Sequence, residues 1–222
     1  MRILVLDLIQ PDITCLGIFS SIGKLSRKNL SYKDIVRIVS ECKQQYKFHK
    51  KMIDYLIRYP QLMEHSFISV LVLDAPSFVL NQLARHRHIS VIMESRRISQ
   101  AKEEPSELSL IRVPEKHRKT FIKYYKKMVK IARKLEEKGV VRELAQRLVP
   151  PIDPRCAIIS GNMRAWVEML AKRICLSEVQ IETRRLALAI AEEINKFIPG
   201  FKKIVREYAT RYLGIENCST LS

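Results

Sequence analysis

The sequence predicts a single α+β domain spanning residues 1–222, with a mixed or antiparallel sheet packed against several helices. Three observations point there. A chain of 222 residues with 47% apolar side chains can bury one substantial core and leaves little for a second. Strand and helix signals alternate along it without internal repeats, low-complexity stretches or a Gly/Ser/Pro linker. Its longest apolar stretches, "MRILVLDLI" and "SFISVLVLDAPSFVL", are too short or too interrupted to cross a bilayer, and the amino terminus lacks a basic segment followed by a cleavable apolar one. A soluble, cytoplasmic protein is expected.

The elements follow in order. "MRILVLDLI" opens as a strand, "YKFHKKMIDYLIRY" has helical spacing through Phe48, Met52, Tyr55 and Leu56, and "SFISVLVLD" is rich in β-formers. "APSFVLNQLARHR" starts with Pro76 near a helix amino terminus and carries Phe78, Val79 and Leu83 as its apolar face. On that helix Gln82 and Arg85 stand three apart and so share a side. Between Arg112 and Lys138 the apolar residues Phe121, Tyr125, Met128, Ala132 and Leu135 trace the stripe of an amphipathic helix. "GVVRELAQRLVPP" is a short helix stopped by two prolines, and "RCAIISGN" is a strand ending at a turn. "NMRAWVEMLAKRI" is a helix capped by Asn162, and "EVQIETRRLALAIAEEINKFI" is a longer one.

Charge and cysteine content narrow the partners. The formal charge is +17, a surplus that attracts phosphates, and the Arg112–Lys138 segment alone holds eleven Lys or Arg against three Glu. A solvated basic face is the expected reading of that helix, since it lacks a base-stacking aromatic pattern or reading motif. The five cysteines are scattered and never form a C-x-x-C pair, so reduced thiols are expected, with neither a metal site nor a disulfide framework.

The densest chemistry lies in "RHRHISVIMESRRIS", which places Arg85, Arg87, Arg96 and Arg97 beside His86, His88, Ser90, Ser95 and Ser99. Glu94 is the sole acid in the stretch, so pairing inside it cannot neutralise the arginines, and burying them unpaired costs several kcal/mol each. Phosphate is the natural partner, because guanidinium offers it planar, bidentate donors and serines add neutral ones.

Arg85-His86-Arg87, seven residues, then Ser95 resembles the R-H-R-x7-S signature of the flavin-dependent thymidylate synthases. The fuller family form, R-H-R-x-x-S-x-N-E-x-S-x-R-Y, is matched at Arg85, His86, Arg87, Ser90, Ser95 and Arg97. "MEHSFISV" is similar to the family's F-E-H-x-x-F-T-F segment, with Glu64 and His65, and "APSFVLNQLARHR" to its A-P-x-F-V-x-x-Q-x-x-R-H-R helix. "GVVRELAQRLVP" resembles G-V-x-R-E-x-A-R-x-x-L-P, and "NMRAWVEMLAKR" resembles N-x-R-S-L-x-N-F-L-x-x-R.

The resemblance implies an enzyme that makes dTMP from dUMP, with methylenetetrahydrofolate as carbon donor and FAD reduced by NADPH as hydride source. It also implies a homotetramer whose active sites draw on several subunits. By matching position, His65, Arg85, His86, Arg87, Asn162 and Arg164 would contact FAD, while Gln82, Ser95, Arg97 and Arg173 would hold dUMP. Arg173 would act catalytically, polarising the uracil carbonyl edge where negative charge develops. No metal is implied. The sequence departs from the pattern at Ile92 and Met93 in place of Asn-Glu, at Ile98 in place of Tyr, at Gln146 in place of Arg and at Glu168 in place of Asn. Two other readings fit the same residues: a paralogue that binds flavin or nucleotide without making dTMP, and a basic nucleic-acid-binding protein on the same scaffold.

Overall fold

The computed structural model describes residues 1–9, 33, 50–216 and 218. Four strands, β1 (Arg2–Ile9), β2 (Phe67–Pro76), β3 (Ile89–Met93) and β4 (Pro154–Asn162), form one antiparallel sheet in the order β1-β2-β4-β3. This settles the sheet as antiparallel. The helices are α1 (Lys50–Arg58), α2 (Ser77–Leu83), α3 (Glu115–Glu137), α4 (Arg142–Ala145), α5 (Met163–Cys175), α6 (Ile181–Phe197) and α7 (Phe201–Leu213). Phe48 lies outside the described residues, as do Cys15 and Cys42.

Period-two alternation gives the sheet two unlike faces. Val70, Val72 and Ile159 are buried against the helices, with Trp166 of α5 donating its indole N–H to the Ile68 carbonyl at 3.0 Å. On the other face Leu4, Leu71, Ile158 and Ile92 pair across all four strands, and Leu4, Ile158 and Ile92 are exposed. Gly161 lies where β3 and β4 meet α5. A Cβ there would stand 2.7 Å from Ile89 Cδ1 and 3.1 Å from the His88 carbonyl oxygen, so only glycine lets the strands approach this closely.

Three expectations need correction, and two features were not expected. Helix α2 ends at Leu83, so Arg85 lies beyond it in a turn and does not share a helix face with Gln82. Glu64 and His65 belong to a 3-10 turn, Pro60–His65, that precedes β2. The buried face of α3 is Tyr125, Val129 and Ala132, a rotation of the expected stripe that leaves Phe121 exposed. Sequence periodicity fixes the repeat but not which edge of a broad apolar arc meets the core. Helix α7 was not expected, although Phe201, Ile204, Val205 and Tyr208 repeat with its period and are buried. Finally, Cys175 and Cys218 form a disulfide across 43 residues, a tertiary contact that local spacing cannot reveal, and Cys156 is a free thiol. No helix among the described residues is long and apolar enough to cross a membrane.

Candidate functional site

The turn between α2 and β3 faces the start of α5, and the site grows from that meeting. Asn162 caps α5, its side-chain oxygen accepting from Ala165 N–H at 2.8 Å, which anchors the helix terminus at the sheet edge. Arg164, in the first turn, pairs with Glu64 of the preceding 3-10 turn. Burial works against the Arg164 charge, but its hydrogen bonds to Glu64 and Tyr208 leave its proton held more tightly than usual. Two adjoining cavities result. One, about 330 Å³, is lined by Glu64, His88, Asn162 and Arg164; the other, about 250 Å³, by Arg85, His86, Arg87 and Lys172, and His88, Ala165 and Glu168 border both.

Arg85 and Arg87 are exposed and carry no side-chain partner among the described residues. Arg173 is held from two sides: its Nε donates to His86 Nε2 at 3.1 Å and its Nη2 to the Gln82 carbonyl at 2.9 Å. That geometry requires a neutral His86. Burial, with the Arg173 and Lys172 cations beside it, lowers the imidazole from 6.5 to about 4. Burial and Arg85 also lower the pKa of Arg173. Glu168 pairs with Lys172 at 2.5 Å, and this hydrogen bond outweighs burial to hold its carboxyl below the usual range. The expected set Arg85, His86, Arg87, Asn162, Arg164, Arg173 and the Gln82 backbone is thus gathered in one region. His65, exposed at the end of its turn, lies outside the lining of both cavities.

Ser95 and Arg97 lie elsewhere. They line a third cavity of about 560 Å³ with Ser77, Asn81, Met93, Arg147 and Arg155, so one chain does not bring all four expected nucleotide residues into one cavity. Arg97 donates to Glu143 at 3.0 Å across the opening, and Arg147 lies 3.6 Å from the same carboxylate.

Two residues of this neighbourhood behave unlike their sequence context. Arg96 is 7% exposed and satisfied inside the protein: it bonds Asp153 at 2.5 Å, Ser99 at 2.9 Å, and the Gln100 and Pro154 carbonyls at 3.0 Å each. Its main counterion, Asp153, comes from 57 residues away, which corrects the expectation that these arginines lack protein partners. Gln146 is also buried, accepting from Ala101 N–H at 3.2 Å and donating to Glu136 at 2.6 Å. It is an internal fastener whose side chain is already spent. Gln146 and the neighbouring Arg147 both line the cavity, but Arg147, 68% exposed, brings the charge, and a one-residue displacement along a helical turn was the signal that motif register concealed. Ile92 points to the open sheet face with Ile158, away from the helices.

Fold and cavities together define an α+β protein with arginine-bordered pockets at the ends of an antiparallel sheet. A profile of the thymidylate synthase complementing protein matches residues 20–200, and the chain belongs to that family. A crystal structure of a UMP/dUMP methylase, PolB from Streptomyces cacaoi bound with 5-Br dUMP, has the same fold, with a TM-score of 0.65, 94% of each chain covered and 19% identity. No curated protein matches the chain.

Proposed function

We propose that this chain is a flavin-dependent thymidylate synthase, converting dUMP to dTMP with methylenetetrahydrofolate as carbon donor and NADPH-reduced FAD as hydride source. The observation that carries this reading is the meeting of the exposed Arg85 and Arg87 with an Arg173 fixed by His86 and Gln82. Family membership supports it, and the 5-Br dUMP bound to the structural neighbour supports dUMP as substrate.

The residues present fit a flavin dinucleotide. Arg85 and Arg87 are cations without carboxylate partners among the described residues, suited to a diphosphate, and the two adjoining cavities provide elongated space toward Asn162 and Arg164. Glu168, at the position of the family's amide, is neutralised by Lys172 and so does not oppose a phosphorylated ligand with a bare charge. Bound FAD would supply hydride transfer. The chain's own work is positioning: Arg173, with Nε and Nη2 occupied, keeps Nη1 to polarise a uracil carbonyl as charge develops there.

Arg147 takes the part that the family pattern gives to position 146. With Arg97 it borders the Ser95 cavity, and an entering phosphate exchanges with Glu143 for both guanidiniums. Since Ser95 and Arg97 stand apart from Gln82 and Arg173, the dUMP site is completed by assembly of copies, as a homotetramer. The apolar row Leu4, Leu71, Ile158 and Ile92 is a surface for such assembly.

The test is tritium release from 5-tritiated dUMP in the presence of FAD, NADPH and methylenetetrahydrofolate. Release that needs all three supports the synthase. A protein that retains flavin and nucleotide but releases no tritium is the non-synthetic paralogue, and one that retains neither overturns the site.

A further inference from the structure

The outward surface of α3 takes no part in the sites above. Lys116, Lys119, Lys123, Lys127, Lys130 and Lys134 recur at steps of three and four, so they lie on one face, and all six are exposed. Other cations of this region have acidic partners: Arg118 pairs with Glu115, Lys126 with Glu104 and Arg133 with Glu103. Among the described residues the six lysines have none, and Glu137 is the one acid at the carboxyl end of their face. At 1.5 Å per residue the row is about 27 Å long with a cation roughly every 5 Å.

On the flank of α3 between this row and the core runs a groove of about 450 Å³, in which Phe121, Tyr124 and Met128 face Pro150 and Ile152; along the i+3 ridge Phe121 leads to Tyr124 and Tyr124 to Lys127 of the row. Tyr124 is 62% and Phe121 39% exposed, so ring surface is open to a ligand. A line of cations next to accessible aromatic faces is the arrangement that holds single-stranded nucleic acid, with phosphates on the charges and bases on the rings. Other occupants fit less well. In a duplex the base faces are already stacked on one another; a second copy would set lysines against lysines; and a bilayer would find the apolar residues Tyr125, Val129 and Ala132 turned into the protein.

We infer that α3 binds single-stranded nucleic acid, with its phosphates along the lysine row and bases stacked on Tyr124 and Phe121.

The experiment is fluorescence anisotropy of a labelled 20-nucleotide single strand of mixed sequence with the full chain, from 50 to 200 mM KCl. Neutralising six phosphates gives a log–log salt slope of about −4, and Lys123→Gln with Lys127→Gln reduces its magnitude by about 1.4. Phe121→Ala with Tyr124→Ala is expected to weaken binding at least tenfold at fixed salt, with circular dichroism and tritium release unchanged. Arg85→Ala with Arg87→Ala is expected to stay within twofold of wild type. The inference is overturned if the aromatic variant binds as wild type does, since the contact is then charge alone, or if the arginine variant loses binding, since the strand then sits at the other site. Equal competition by the matching duplex, by polyglutamate or by vesicles containing 30% phosphatidylserine also overturns it.

Discussion

Replacing Arg96 by methionine tests whether this arginine is a fastener of the fold. The change keeps much of the aliphatic volume and deletes the guanidinium. Asp153, 1% exposed, then retains the Tyr125 hydroxyl at 3.0 Å, the Lys102 N–H at 3.4 Å and the more distant Arg155 guanidinium at 3.6 Å, while the Gln100 and Pro154 carbonyls lose their donors. Breaking one partner out of a buried pair costs about 3–5 kcal/mol. For a chain of this size that lowers the melting temperature by roughly 6–20 °C. Arg97→Met is the control: Arg97 is 73% exposed, and the expected cost is within about 0.5 kcal/mol. Urea and thermal unfolding of the flavin-free protein measure both. Asp153→Leu added to Arg96→Met is expected to recover part of the loss, because the stranded carboxylate is gone. An Arg96→Met cost under 1 kcal/mol, or one equal to that of Arg97→Met, would refute the reasoning.

Arg85→Ala and Arg87→Ala are expected to weaken FAD binding roughly 10- to 150-fold each, as charge-assisted contacts of about 1.5–3 kcal/mol do, with little change in flavin-free melting; flavin fluorescence titration checks this, and an equal loss of apo stability contradicts it. His86 titrates at 6.5 when unfolded and about 4 when folded, so between those values only the unfolded chain gains the proton and stability falls as pH falls. Urea unfolding from pH 7 to 4.5 should show a shallower fall in His86→Gln, and parallel curves would discard the assignment. Arg147→Ala should raise the Kd for dUMP, measured calorimetrically, whereas Gln146→Arg should destabilise by burying a guanidinium where Ala101 N–H needs an acceptor. Gly161→Ala should cost about 1–3 kcal/mol, because the Ile89 tip can turn aside but the His88 carbonyl cannot without moving β3.

Much of the scaffold was legible because it obeys local rules. The β-rich runs at Arg2–Ile9 and Phe67–Pro76, Pro76 ahead of α2, and Asn162 as the cap of α5 all rest on residues a few positions apart. What escaped depends on distant partners. Nothing near Arg96 announces Asp153, nothing near Cys175 announces Cys218, and Gln146 reads as a lost arginine until Glu136 and Ala101 are seen to hold it. Of the residues expected to meet flavin, Arg85, His86, Arg87, Asn162 and Arg164 line two adjoining cavities and His65 does not, because the motif R-H-R is a short turn and the α5 terminus carries its own cap. The expected nucleotide residues fall in two places, Ser95 and Arg97 in one cavity and Gln82 with Arg173 beside another, because register along a motif does not fix which residues share a cavity. The α3 stripe failed by phase alone: Phe121 and Tyr125 both suit the period, and packing against Ala101 and Ile152 favours Tyr125.

The open face of the sheet and the surplus of cations set up a colloidal opposition. Two copies approaching through Leu4, Leu71, Ile158 and Ile92 gain apolar contact but bring together chains that each carry +17. In the proposed assembly, dilute buffer would keep copies apart, whereas at 0.1 M salt the repulsion reaches only about 10 Å and the apolar attraction would prevail. Salt therefore promotes the union of copies while it loosens every phosphate held on arginine or lysine. The two responses have opposite sign, so a synthase assembled in this way would work best in a band of ionic strength, crowded enough with ions to assemble and sparse enough to keep its ligands.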